Sequence, residues 1–399
     1  MESLVILDFQ YIGSFNHLSC MRVLLIFLLF AIGSTASAHV TASCDTSISQ
    51  LKFLNEYVVR HNQEFRSTTI GGLSGIDYDQ ANNVYYVLTD DRSSVNSARY
   101  YTVRIPVSEK GIDTVEFVDF NYLTQADGTH YPDARKDPTK TVDFEALRYN
   151  FRTKQIVVAS EGERIVRDGR SLLSDPRVIT ADLKGHRVGE YILPDLLKMA
   201  GDRPWGPRQN GALEGLAFNE KCSTLFVALE EPLYQDGPPA TTEKTNSWTR
   251  IFYFDSKSGK NIKQVAYPLD PVAYPPTPSD AFSVNGVSEI AWLDKDKFLV
   301  VERSFSTGRL GCTVKVFLAN ATSASDVVEI PSLAQAADVK PALKRLLLNM
   351  EDIGIYIDNI EGVTFGPKLP NGHRTLIFVS DNNFAPIEKT QFLIFEVIP

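Results

Sequence analysis

The chain is poor in the residues that build stapled or metal-threaded scaffolds. Its 399 residues hold 4 Cys and 6 His, too few for a disulfide framework and without the spacing of a zinc site. Basic residues are outnumbered, 40 Lys and Arg against 49 Asp and Glu, for a net charge of -9. Such a surface repels a phosphate backbone, so no nucleic-acid partner is expected. Disorder is excluded as well, because 43% of the residues are hydrophobic and 22% charged. No apolar run is long enough for a membrane-spanning helix. Val23–Ile32 has the length of a secretory h-region, with Met21-Arg22 before it and Ala36-Ser37-Ala38 after it. The expected organisation is an upstream extension and signal peptide over residues 1–38, cleaved near Ala38, then one domain over 39–399. Export to the periplasm or out of the cell follows. An oxidising compartment allows one disulfide among Cys44, Cys222 and Cys312, and the sequence assigns neither a pair nor an oligomeric state.

What the chain has in abundance is internal repetition. Five segments share one pattern, apolar, Glu or Ser, any, aliphatic, any, aromatic: Leu73–Tyr78, Phe144–Tyr149, Leu213–Phe218, Val287–Trp292 and Ile360–Phe365. Ser74, Glu145, Glu214, Ser288 and Glu361 hold the polar position, so the spacings are 71, 69, 74 and 73 residues. Each copy leads to a second apolar run ending in an acid, namely Asp90, Glu161, Glu230, Glu302 and Asp381. Two more strand-like runs follow in each of the first four repeats, in the fourth Thr313–Leu318 and Val327–Ile330, separated by turn residues. The fifth repeat has one further run only, Gln391–Ile398. The unmatched Leu51–Val59 supplies the missing strand. This predicts an all-β fold, a single β-propeller of five four-stranded blades closed by the N-terminal strand. Six blades is the alternative and requires a sheet hidden in an insertion.

In such a blade the inner strand begins, and the second strand ends, on one face of the disc. Both polar rings should meet there around the axis, beside the long segments 124–141, 232–248, 267–285 and 331–358, the last with a short helical stretch around 341–350. Carboxylates crowded together raise one another's pKa or recruit a cation. The candidate ligands Glu145, Glu214, Glu361, Ser74 and Ser288 are all hard oxygens, which suits Ca²⁺ better than Zn²⁺. The alternative is that the acids cap inner strands by accepting backbone N–H groups. Basic residues stand beside the second acids: Asp91-Arg92, Glu163-Arg164 and Glu302-Arg303, with Arg208 ahead of the third inner strand. Glu161, Glu230 or Glu302 is placed to act as a base, and Arg164 or Arg303 to hold an anionic group. Arg92, Arg208, Asp91 and Asp381 are placed to bind substrate. Each Arg could equally pair with its neighbouring acid and lock adjacent blades.

The runs Gly71–Tyr78, Leu88–Arg92, Val301–Phe305 and Asn359–Gly362 resemble the secreted phytase-like family described by esterase-like activity. The likeness covers about residues 65–397. It implies hydrolysis of phosphoric or carboxylic esters, with a small anionic or ester substrate. The acidic calcium motifs of β-propeller phytases are not recognisable, which argues against inositol-phosphate hydrolysis. A weaker similarity is to five-bladed calcium apyrases, and it implies a metal role for the inner Glu and Ser ring. The competing class is a non-catalytic propeller with a structural metal, acting as a ligand- or envelope-binding module.

Overall fold

In a computed structural model of the chain, residues 48–167, 170–244 and 246–399 are described. The leader, its cleavage site and Cys44 lie outside them. Five four-stranded antiparallel sheets carry the fold, and among the described residues there is no α-helix. Blade one is Leu73–Asp79, Val84–Thr89, Arg99–Arg104 and Glu116–Tyr122. Blade two is Phe144–Asn150, Gln155–Ser160, Arg177–Asp182 and Arg187–Glu190. Blade three is Leu213–Phe218, Thr224–Leu229, Trp248–Asp255 and Asn261–Pro268. Blade four is Ser283–Asp294, Lys297–Ser306, Thr313–Asn320 and Leu343–Asn349. Blade five takes Asn359–Lys368, Arg374–Asp381 and Thr390–Ile398 from the C-terminal end. Its fourth strand is Gln50–Val59, antiparallel to Thr390–Ile398 from Gln50↔Ile398 to Val59↔Thr390. The N-terminal strand thus closes the ring, as the repeat count predicts.

The second strands are apolar at nearly every position because both of their faces are covered. In blade three Leu225 and Val227 pack towards blade two, whereas Phe226 and Ala228 pack towards blade four. A period of two with both sides buried gives an unbroken apolar run. Five clusters result, one in each cleft between neighbouring blades. The inner strands stand side by side around the axis, each against the next. Gly75 permits this approach, since a Cβ there would lie 2.7 Å from the Leu147 backbone nitrogen.

Blade four departs from expectation. Its outer strand is Leu343–Asn349, not Val327–Ile330, and the stretch around 341–350 is strand rather than helix. The 321–342 segment therefore leaves from the face opposite the long loops. It lies along the outer strand of blade three, where Val327 N donates to Gln264 O and Ala342 N to Ala266 O. A further hairpin, Glu163–Arg167 with Arg170–Ser174, rises from blade two.

Removing residues 39–59 should leave Thr390–Ile398 as an unpaired, apolar sheet edge, which templates association with other chains. Size-exclusion chromatography of the truncated protein should show soluble aggregates and a lost cooperative melt. A monomer that melts like the full domain would show that the closing strand is dispensable.

Candidate functional site

All five inner strands slip register against their neighbour at the same point of the repeat. The shifts fall between Leu73/Gly75, Phe144/Ala146, Leu213/Gly215, Val287/Glu289 and Ile360/Gly362. The residues bulged out are Ser74, Glu145, Glu214, Ser288 and Glu361, every one buried. A bulge leaves its residue outside the ladder and re-aims the side chain, which here brings the polar ring together at the axis. Two positions earlier, across the ladder, stands the second ring. Asp90 donates its N–H to Gly72 O, Glu161 to Asp143 O and Glu230 to Ala212 O, while Asp381 pairs with Asn359.

Blade four breaks the acidic pattern, because the residue at that position is Arg303, opposite Gly286. Glu302 sits one residue earlier, on the outward face. It accepts from Tyr267 Oη at 2.7 Å, Asp270 N at 2.9 Å and Asn285 Nδ2 at 2.8 Å, and it pairs with Lys344. The expected ring of five acids is thus four acids and one guanidinium. Arg303 donates to Glu230 Oε1 at 2.6 Å, Glu361 Oε1 at 3.0 Å and Asn359 Oδ1 at 2.6 Å. Gly286 makes room for this, since a Cβ there would lie 2.3 Å from Glu230 Cγ.

Eight carboxylates share the site: Asp90, Asp143, Glu145, Glu161, Glu214, Glu230, Glu361 and Asp381. Single oxygens of Asp90, Asp143 and Glu145 lie within 4.8 Å of one another, as do those of Glu145, Glu161 and Glu214. Among the described residues two guanidiniums oppose them, Arg303 and Arg92, the latter 3.3 Å from Asp143 Oδ1 and also paired with Glu163. Burial, and then the neighbouring acids, drive Asp90, Glu145, Glu161 and Glu214 well above the usual carboxylate range. Asp381 moves the same way by burial and Glu361. Burial raises Glu361 to about 7 against the pull of Arg303, and raises Glu230 against the same residue. Strand capping by the acids is partial: Glu161 Oε1 accepts from Ala212 N at 2.5 Å and Asp381 Oδ1 from Asn383 N at 2.7 Å. Asp90 Oδ1, Glu161 Oε2, Glu214 Oε2, Glu361 Oε2 and Ser288 Oγ are buried without a hydrogen-bond partner. Unsatisfied hard oxygens in a low-dielectric setting suit a hard divalent cation, and the residues present fit one.

Other expected site residues lie elsewhere. Asp91 accepts from the N–H groups of Ser94, Val95 and Asn96 and pairs at 2.7 Å with the fully buried Arg99, so it anchors a loop. Arg164 and Arg208 bracket the Tyr234 ring at 4.8 and 4.4 Å and donate to loop carbonyls. Ser74 Oγ donates to Phe144 O at 3.2 Å.

Four important residues occupy positions that the repeat leaves unconstrained or just precede it. Asp143 joins the acids. Arg148 crosses the channel, donating to Ile76 O, Leu147 O, Ile290 O and Val363 O, and it meets Glu289 at 2.8 Å. Glu289 Oε1 accepts from Leu216 N and Ile290 N. Together the pair bonds the inner strands of all five blades. Asp77 accepts from Tyr149 N and Thr364 Oγ1 beside it. A charged residue inside an otherwise apolar buried strand was the available signal.

On the loop face, a cavity of about 450 Å³ opens over the ring, with Glu230, Arg303 and Asn359 in its floor. The architecture is a five-bladed propeller with a buried acidic centre reached from one face. The chain belongs to the phytase-like family described as "Esterase-like activity of phytase", whose model matches residues 68–384. No curated protein sequence matches it significantly. Similar solved structures include an α-L-arabinofuranosidase from Lactobacillus brevis, with 12% identity, TM-score 0.43 and 82% of this chain on 91% of that one. An α-L-arabinofuranosidase catalytic domain from Coprinopsis cinerea has 9% identity and TM-score 0.41, with 88% of this chain on 97% of that one. An arabinanase from Bacillus subtilis has 10% identity and TM-score 0.39, with 82% on 95%. Likeness this distant carries no argument about chemistry.

Two tests follow from the electrostatics. Glu361 and its neighbours hold protons in the fold at pH values where unfolded carboxylates, with a reference of 4.5, have lost them. The folded state then binds more protons, so metal-free stability should fall as pH rises from about 4.5 through about 7. Melting in chelator should therefore drop over that window, and excess Ca²⁺ should abolish the drop by binding only the fold. Curves that coincide with and without Ca²⁺ would contradict this. Separately, Arg148→Leu should destabilise by about 3–5 kcal/mol by stranding Glu289, and Arg148→Leu with Glu289→Leu should recover much of the loss in denaturant titrations.

Proposed function

We propose that the protein is a secreted, Ca²⁺-dependent hydrolase of carboxylic or phosphoric esters that works at the axial acid ring. The observation carrying this reading is the set of buried, unpartnered carboxylate oxygens beneath a cavity, in a chain of the esterase-like family. Glu145, Glu214, Glu361, Asp90, Asp143 and Glu161, with Ser288 and Ser74 alongside, would hold the ion. Bound there, Ca²⁺ supplies Lewis-acid neutralisation of charge. Export rests on the leader pattern in residues 1–38. Among the described residues, no helix is long and apolar enough to cross a membrane.

Glu230 lines the cavity, and its burial-raised pKa brings it closer to a base that works near neutrality. It takes a proton from a water that adds to the ester carbon or phosphorus; the bond to the alcohol oxygen breaks and that oxygen leaves with a proton. The Arg303 guanidinium, in the cavity lining, would set positive charge beside the oxygen on which charge grows. Arg148 stops the channel behind the ring, so substrate arrives from the loop face. Cys312 also lines the cavity, but burial pushes its thiol up to about 11, which leaves it protonated and a poor nucleophile at neutral pH. Glu302 is held by four partners and is not free to act as the base.

A second reading, a binding module around a structural ion, draws on Arg303 being tied to three side chains. The two separate in one assay. With Ca²⁺, the wild type should hydrolyse activated esters and lose that activity in chelator. Glu230→Gln should lower kcat about 100-fold or more with little change in melting, since an amide oxygen can still accept from Arg303. No hydrolysis across carboxyl- and phosphate-ester panels would favour the binding module.

A further inference from the structure

The three most exposed large apolar side chains among the described residues are Leu310, Ile387 and Phe282, at 89%, 79% and 65%. All three line the cavity that opens onto Glu230 and Arg303. Scattered exposed apolar residues are ordinary, but convergence of the largest ones on a single concave site marks a binding surface. They come from three separate loops on the working face. Phe305 backs Phe282, with ring centroids 6.1 Å apart, and Tyr356 forms the opposite wall. Gly311, at φ +71, lets its turn lie against the Tyr356 ring, where a Cβ would be 2.9 Å from Cε2.

Charge around the cavity points away from polyanions. Glu230, Asp358 and Glu388 line it against Arg303 and Arg309. Arg303 is already divided between Glu230 and Glu361. Arg309 lies 3.6 Å over the Tyr274 ring and 3.7 Å from Glu351. Lys389 leans on the outer side of Tyr356, at 5.3 Å. A substrate with several phosphates would need a cluster of uncommitted cations at this mouth, and the lining offers acids instead.

We propose that this cavity selects esters carrying a flat apolar group, seated among Phe282, Phe305, Leu310, Tyr356 and Ile387 with the scissile bond over Glu230 and Arg303, and that it rejects polyphosphorylated substrates. A volume of about 450 Å³ suits a small molecule of this kind. The proposal rests on the hydrolase reading for the bond broken, but not for the pocket, so its test has two readouts.

The first is equilibrium binding of 1-naphthol, followed by its fluorescence, to Ca²⁺-loaded wild type and to the double variant Phe282→Ser/Leu310→Ser. Both side chains are exposed, so the fold should tolerate the changes. The dissociation constant should rise about tenfold, the scale expected for losing two apolar contacts. The second readout is kcat/KM for 1-naphthyl acetate, methyl acetate and inositol hexakisphosphate. Wild type should prefer the naphthyl ester, leave the hexakisphosphate intact and lose about tenfold of its naphthyl-over-methyl preference in the double variant. Naphthol binding that ignores the double variant, or turnover of the hexakisphosphate above the naphthyl ester, overturns the inference. If naphthol binds and responds to the variant while no ester is cleaved, the pocket stands and the hydrolase reading falls.

Discussion

Eight carboxylates converge on one axis with two guanidiniums among them, and that repulsion is what the rest of the structure has to contain. At an effective dielectric near 20, two like charges about 5 Å apart repel by roughly 3 kcal/mol. The acids cannot all be ionised without compensation. Backbone geometry nevertheless forces them inward, because five bulges repeat at the same register. The five inter-blade apolar clusters hold the inner strands in place against this strain. Arg303 replaces an acid at the one position where its guanidinium reaches carboxylates of blades three and five. Protons or a cation must supply the remaining positive charge.

Below the ring the polar chemistry changes character. The Arg148–Glu289 pair satisfies backbone groups from every blade and divides the channel into two compartments. The acids above it keep unpartnered oxygens, whereas Asp77 beside it is fully engaged. Several other buried ion pairs belong to the scaffold. Asp91 with Arg99, Asp236 with Arg250, and Glu302 with Lys344 each fasten a loop or an outer strand. Above the Arg148–Glu289 pair, buried carboxylate oxygens without a hydrogen-bond partner gather around the axis, at Asp90, Glu161, Glu214 and Glu361.

Blade number and closure were legible because the repeat carries four marks in six residues and returns every 69 to 74 positions. The closing strand could be found as the run left over. Blade four was less legible for two physical reasons. Its second strand is apolar for only four residues before Glu302, one fewer than its counterparts, which disguised Arg303 as a neighbour of the ring rather than a member. Its outer strand, Leu343–Asn349, alternates weakly and follows Pro341 in a Leu-rich stretch that reads equally as a helical turn, so tertiary pairing with Thr313–Asn320 decided the matter. Arg148, Glu289 and Asp77 were illegible as partners because bonds across a closed ring join residues up to 287 positions apart, and no local pattern records them. Asp143 had a weak signal, an acid two residues ahead of a ring acid.

The claim on which everything else depends is that the ring exchanges protons for a divalent cation. Isothermal titration of Ca²⁺ into chelator-treated protein at pH 6, in two buffers of different ionisation enthalpy, counts both ions and protons. The predicted result is saturable binding with net proton release, because raised carboxylates must give up protons to become ligands, and weaker binding with fewer protons released in Glu214→Gln. Absence of binding, or binding with no proton release and no response to Glu214→Gln, would contradict it.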